Sequence, residues 1–236
     1  MATFFPKPIP ANWYKYDAHF SIHLLRTYID IVEEGVQKSI EAFNKDKQVL
    51  IAEGLPEEGH YIASEEYRGI DDSTFDLEGI FEGFFPNLQR AAGLMTLFSF
   101  FENELEKLCH LYVSSYGMRV VPKDMHGSGM ERSVLFLEKI VGLPIDKGSA
   151  TWYSLRNIQR IRNRFAHAGG KTTDSSGKPI KEVVATVEAS DNLGDDDGDI
   201  ILGSEYLVEV VASFDSLFQQ LDELNAKHHE DMLKKL

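Results

Sequence analysis

The sequence predicts an all-α protein, an antiparallel helix bundle with a small β-hairpin insertion before its last helix. Three observations lead there. Apolar residues recur at steps of three and four through long segments. Those segments are punctuated by Ser or Asp at their starts and by Gly or Pro at their ends. Only one late stretch, 171–203, changes to a β-branched and Gly/Asp-rich character. With 236 residues, 43% of them hydrophobic and 11% aromatic, the chain suits one domain over 1–236 with a substantial core, which excludes overall disorder.

Residues 1–15 read as a lead-in rich in Pro and aromatics. A first helix is expected from about Tyr16 to Glu53, with Phe20, Leu24, Tyr28, Ile31, Ile40 and Phe43 near one face and Gly54 and Pro56 as its stop. Residues 54–74 read as a loop, followed by Ser73 and Asp76 as a capping pair. Pro86 opens a second long helix with the stripe Leu88, Ala91, Met95, Phe98, Phe101, Leu105, Leu108 and Tyr112, closed by Gly117. Ser128 and Glu131 form a capping box for a short third helix ended by Gly142 and Pro144. Ser149 caps a fourth, which Gly169–Gly170 closes, and Ser204 caps the last. Between these, Glu182–Ala189 and Asp199–Leu202 are expected to form the hairpin.

Composition excludes several function classes. A single cysteine, Cys109, supports neither a disulfide framework nor a Cys-based zinc site. The longest nearly apolar run, Ala91–Phe101, falls far short of the roughly 20 residues that span a bilayer. The N-terminal residues do not read as a signal peptide. A soluble, cytoplasmic protein with no membrane partner is therefore expected. With 38 acidic and 24 basic residues the net charge is −14, which argues against a general nucleic-acid coat. Within this acidic chain, residues 147–173 hold not one Asp or Glu, but carry Lys147, Arg156, Arg160, Arg162, Arg164 and Lys171.

The fourth helix lies in that island and reads ATWYSLRNIQRIRNRFAHAGG. At 100° per residue, Leu155, Ile158 and Phe165 share a sector of about 80°, and Arg162 falls inside it. The opposite side carries Arg156, Arg160, Arg164, Asn163 and His167. An arginine in a buried sector needs a carboxylate, a phosphate or several carbonyls. A structural Arg–Glu pair between helices meets that need, with Glu102 in FFENELEKL as a candidate partner; so does a substrate phosphate.

The string Arg162-Asn163-Arg164-Phe165-Ala166-His167, late in a helical bundle, resembles the signature of the HEPN superfamily. The resemblance is carried by this motif helix and, more broadly, by the helical layout of residues 16–234. It implies a metal-independent endoribonuclease without a cofactor, often dimeric with two motifs meeting at the interface, and often part of a toxin–antitoxin or phage-defence system with an antitoxin partner. Carried over by position, Arg162 and His167 become the catalytic pair and Asn163 the polar residue that orients them. Some members of the superfamily are inactive nucleotide- or protein-binding modules. One subgroup is modified on a Tyr two residues after the His; that position here is Gly169.

Residue chemistry agrees with RNA cleavage without a metal. Histidine serves as a general base or acid near neutral pH, and arginine binds phosphate through a planar fork. On an ideal helix Arg162 and His167 lie about 140° apart, so a homodimer with the fourth helix near its twofold axis is expected to complete the site. Arg156, Arg160 and Arg164 are the expected contacts to single-stranded RNA, and Glu102 the expected positioning acid. His19 and His23 are spaced i, i+4 without an evident third ligand, and no metal is assigned. Asp195–Asp196–Asp197–Gly198 fails the EF-hand pattern and reads as a hairpin tip.

Overall fold

The computed structural model describes residues 9–53 and 61–234. Its helices are α1 (His19–Asp46), α2 (Phe85–Tyr116), α3 (Gly129–Phe136), α4 (Ala150–Ala168), α5 (Lys181–Glu188) and α6 (Tyr206–Leu233). Two small antiparallel sheets accompany them. One is a meander of β1 (Gln48–Glu53), β2 (Tyr61–Tyr67) and β3 (Ile70–Asp71); the other is the hairpin β4 (Leu193–Asp196) and β5 (Asp199–Leu202). The chain is thus mostly helical, as its periodicity predicts. Among the described residues no helix is long and apolar enough to cross a membrane.

Helices α1, α2, α4 and α6 enclose the main core. Phe101 stacks on Phe214 at 4.1 Å between ring centroids and lies against Phe218, and Trp13 meets Phe218 edge-on at 5.0 Å. The stripe expected for α2 is buried from Ala91 to Tyr112 except Met95, which is half-buried, whereas Leu88 is 55% exposed. A second, smaller cluster of Phe43, Tyr67, Leu77 and Phe81 joins the meander to the two long helices.

Local stop and start signals act where expected. Ser149 Oγ accepts the Trp152 amide at 3.2 Å, and Gly117, Gly142 and Gly169 end their helical segments in the left-handed region. At the tip of β4–β5, Asp197 and Gly198 both have positive φ, 48° and 82°, as a two-residue type I′ turn demands. Asn87 ties this hairpin to α2. Its amide donates to the Ile200 carbonyl at 2.8 Å, and its oxygen accepts the Leu202 amide at 2.9 Å.

Several expectations are corrected. Residues 181–188 form helix α5, not a strand. Val183 and Val187, one turn apart, bury against the core with Thr186, and that packing outweighs the β-propensity of the run. The first helix stops at Asp46; β-branched Val49 and Ile51 lie in β1, paired with β2, where a helix and then a loop were expected. Gly54 and Pro56 lie outside the described residues. The buried face of α1 is Ile22, Leu25, Ile29, Val36 and Phe43, while Phe20, Leu24 and Ile31 are more than 60% exposed. Both sets have helical spacing, and contact with α2 and α6 selects between them. The cap position of α6 is Glu205 rather than Ser204, and Asp76, not Ser73, accepts the Gly79 amide, at 2.9 Å.

Candidate active site

Helix α4 is held at both ends. Ser149 caps its start. At its end Gly169 (φ 61°) and Gly170 (φ 82°) turn the chain, and the Gly170 amide donates back to the Arg164 carbonyl at 3.1 Å. A Cβ at position 170 would sit 2.6 Å from the Phe165 ring, so the glycine lets the chain close over that side chain. This tight exit leaves His167 in the last turn with its imidazole exposed. Among the described residues it has no hydrogen-bond or ion-pair partner.

A polar cleft of about 500 Å³ runs between α2, the start of α3 and α4. Arg162, Asn163 and His167 all line it, as do Arg156, Arg160 and Glu102. The ideal-helix separation of Arg162 and His167 therefore does not keep them off one surface; the cleft is wide enough to take both. Arg162 is the most constrained. Its Nη2 donates to Glu102 Oε2 at 3.1 Å, its Nη1 donates to Asn163 Oδ1 at 2.9 Å, and its guanidinium lies 4.8 Å from the centroid of the Phe98 ring. Both members of the Arg162–Glu102 pair are about one-fifth exposed. The buried Nε has no partner, and each terminal nitrogen keeps a second N–H.

Glu102 also does the work expected of Ser128. Ser128 occupies the N-cap position of α3 without a capping bond from its side chain; instead Glu102 Oε1 accepts the Met130 amide at 3.1 Å. Gly129, at φ 54°, leaves the space this needs, because a Cβ there would overlap the Glu102 carboxylate. One carboxylate thus joins the start of α3 to Arg162. Nothing in the sequence around Gly129 marks this role, since the partner lies 27 residues away.

The remaining arginines divide. Arg156 pairs with Glu131 and donates to Gln159 Oε1 at 2.7 Å, so Glu131 serves the cleft rather than a capping box. Arg160 donates to Asn157 Oδ1 at 2.7 Å and to Thr186 Oγ1 of α5 at 2.8 Å. Arg164, expected beside them, turns to the other flank and does not line the cleft. Its Nε and Nη2 donate to the carbonyls of Lys171 and Thr173, both at 2.6 Å. Backbone acceptors of the loop after α4 thus engage two of its donors, away from the cleft that Arg156 and Arg160 line.

Among the described residues no three His, Cys, Asp or Glu side chains gather as metal ligands. Cys109 is buried, and burial pushes its thiol up to about 12, which leaves it without thiolate character at neutral pH. Compared with protein-family models, with curated proteins and with solved structures, the chain matches none.

Proposed function

We propose that this chain is a metal-independent endoribonuclease of HEPN type acting on single-stranded RNA. The observation that carries this reading is the convergence of Arg162, Asn163 and His167, with Arg156 and Arg160, on one open polar cleft in a chain of net charge −14. A local cationic surface within an acidic whole attracts a phosphodiester at one place.

In the proposed reaction a phosphate of the RNA lies against the free N–H groups of Arg162. His167 takes the proton of the neighbouring ribose 2′-OH. The 2′-oxygen attacks phosphorus, the bond to the 5′-oxygen breaks, and that oxygen leaves with a proton. The products are a 2′,3′-cyclic phosphate and a 5′-OH end. Arg162 stabilises the crowded phosphorane through charge, while Glu102 and Asn163 are positioning residues that hold its fork. One chain supplies one His167, so a homodimer with two facing clefts would supply a base and an acid together. An antitoxin protein that covers the cleft would silence it, as in a toxin–antitoxin or defence system.

Incubation of the purified chain with RNA in EDTA tests the reading. We expect cleavage with cyclic phosphate ends, abolished by His167→Ala. A second reading is an inactive binding module, and it is favoured by the ion pairs of Arg162 with Glu102 and of Arg156 with Glu131, which already offset two of the cleft's charges. Intact RNA at every enzyme concentration, with His167→Ala indistinguishable from wild type, would select it.

A further inference from the structure

Beside the polar cleft lies a second hollow of different chemistry. A groove of about 520 Å³ opens between the start of α2, the end of α4 and the β4–β5 hairpin. Phe84 and Leu88, 60% and 55% exposed, stand on its α2 side, and Phe165 of α4 and Gly169 just after that helix lie on the other. Two acids stand on its rim: the exposed carboxylate of Asp196 has no hydrogen-bond or ion-pair partner among the described residues, and that of Asp199 is engaged by Lys171 at 2.7 Å.

The groove and the cleft are consecutive stations on one seam. Helices α2 and α4 meet in opposite directions: Glu102 pairs with Arg162 in the cleft, and Ala92 lines the groove with Phe165. Phe165 and Gly169 lie three and seven residues beyond Arg162, which is about 5–10 Å along the helix.

We infer that this groove is a nucleobase subsite that holds a guanine next to the phosphate bound in the cleft. The inference rests on the endoribonuclease reading of that cleft. The cleft is cationic and polar, and suits phosphate; the groove is apolar with a free carboxylate on its rim, and repels phosphate. An aromatic-walled slot suits the face of a base, since stacking is available to any π-surface. The carboxylate of Asp196 accepts hydrogen bonds only. Guanine presents two adjacent donors, N1–H and the 2-amino group, that match its two oxygens, whereas adenine, cytosine and uracil present one donor beside an acceptor. The occupant is thus selected by stacking and by donor pattern together.

The test separates this subsite from the nuclease assignment. Binding of GMP, AMP and ribose 5-phosphate to the full chain is measured by calorimetry, and cleavage is measured on single-stranded oligonucleotides that carry G, A or an abasic nucleotide at each position in turn. GMP is expected to bind at least about tenfold more tightly than ribose 5-phosphate, in the range that stacking of one base supplies. Ala92→Trp, which fills the groove from an exposed position, should remove that difference, and Asp196→Asn should remove the preference for GMP over AMP. Equal binding of GMP and ribose 5-phosphate, or cleavage indifferent to an abasic nucleotide at every position, overturns the subsite and leaves the nuclease reading standing. Groove-dependent GMP binding with no RNA cleavage upholds the subsite and overturns the nuclease reading instead.

Discussion

The two flanks of helix α4 use the same residue type for opposite ends. On the cleft flank, Arg162 keeps unspent N–H groups beside an exposed His167, and Arg156 stays at the surface. Arg160 lines the same cleft and reaches across to Thr186 of α5, whereas on the flank facing the insertion Arg164 places its donors on two backbone carbonyls. An arginine surrounded by acceptors becomes a tether; one next to open space can bind a ligand. The difference lies in the surroundings, because all four stand on one helix within nine residues.

The largest effect is expected at the cleft. His167→Ala should lower RNA cleavage by at least about a hundredfold, the scale of a general acid or base, with an unchanged melting temperature because the imidazole has no partner. Retained cleavage would break the contrast between flanks. Arg162→Ala should remove cleavage too, but it also strands Glu102, so unfolding should become easier by about 1.5–3 kcal/mol, typical of a charged hydrogen bond. Glu102→Gln should sharpen this: the Met130 amide keeps an acceptor, so stability should fall less than activity.

Arg164→Ala is expected to act in the reverse sense. It leaves two carbonyls after α4 without their donor and should cost about 1–3 kcal/mol in a denaturant titration, while RNA affinity stays within twofold of wild type. A large loss of affinity would return Arg164 to the binding surface. The smallest effect belongs to Arg156→Ala. It should leave the melting curve nearly unmoved, since an exposed pair contributes only about 0–1 kcal/mol. The slope of log affinity against log salt should become shallower by about 0.7, one phosphate contact to a single strand.

Helix α1 and the segment 181–188 show how far the sequence could be read. In α1 the period was legible and the face was not, because two apolar stripes share the helical repeat, and only contact with α2 and α6 buries Leu25 and Ile29 rather than Leu24 and Ile31. At 181–188 a β-branched run promised a strand, yet Val183 and Val187 also satisfy a one-turn spacing, and the core accepts them as a helix. In the candidate site, Arg162, Asn163, His167 and the Glu102 pairing were all within reach of pattern and charge. Gly129 was not, since its importance is the room it leaves for a carboxylate from another helix.

By itself the sequence determined the features that depend on neighbours along the chain. These are the helical periods, the caps at Ser149, Gly117, Gly142 and Gly169, the Asp197–Gly198 turn, and the acid-free cationic window that contains the motif. Each follows from backbone dihedrals, from hydrogen bonds spanning a few residues, or from a count of charges. Tertiary structure alone decided which stripe of α1 is buried, that Val49–Ile51 pair with β2, that Glu102 caps α3 while holding Arg162, and that Arg164 tethers a loop. Those outcomes depend on acceptors and apolar surfaces supplied from elsewhere in the chain. A side chain's partner is the nearest group that offsets its desolvation, and which group is nearest is settled only when the helices pack.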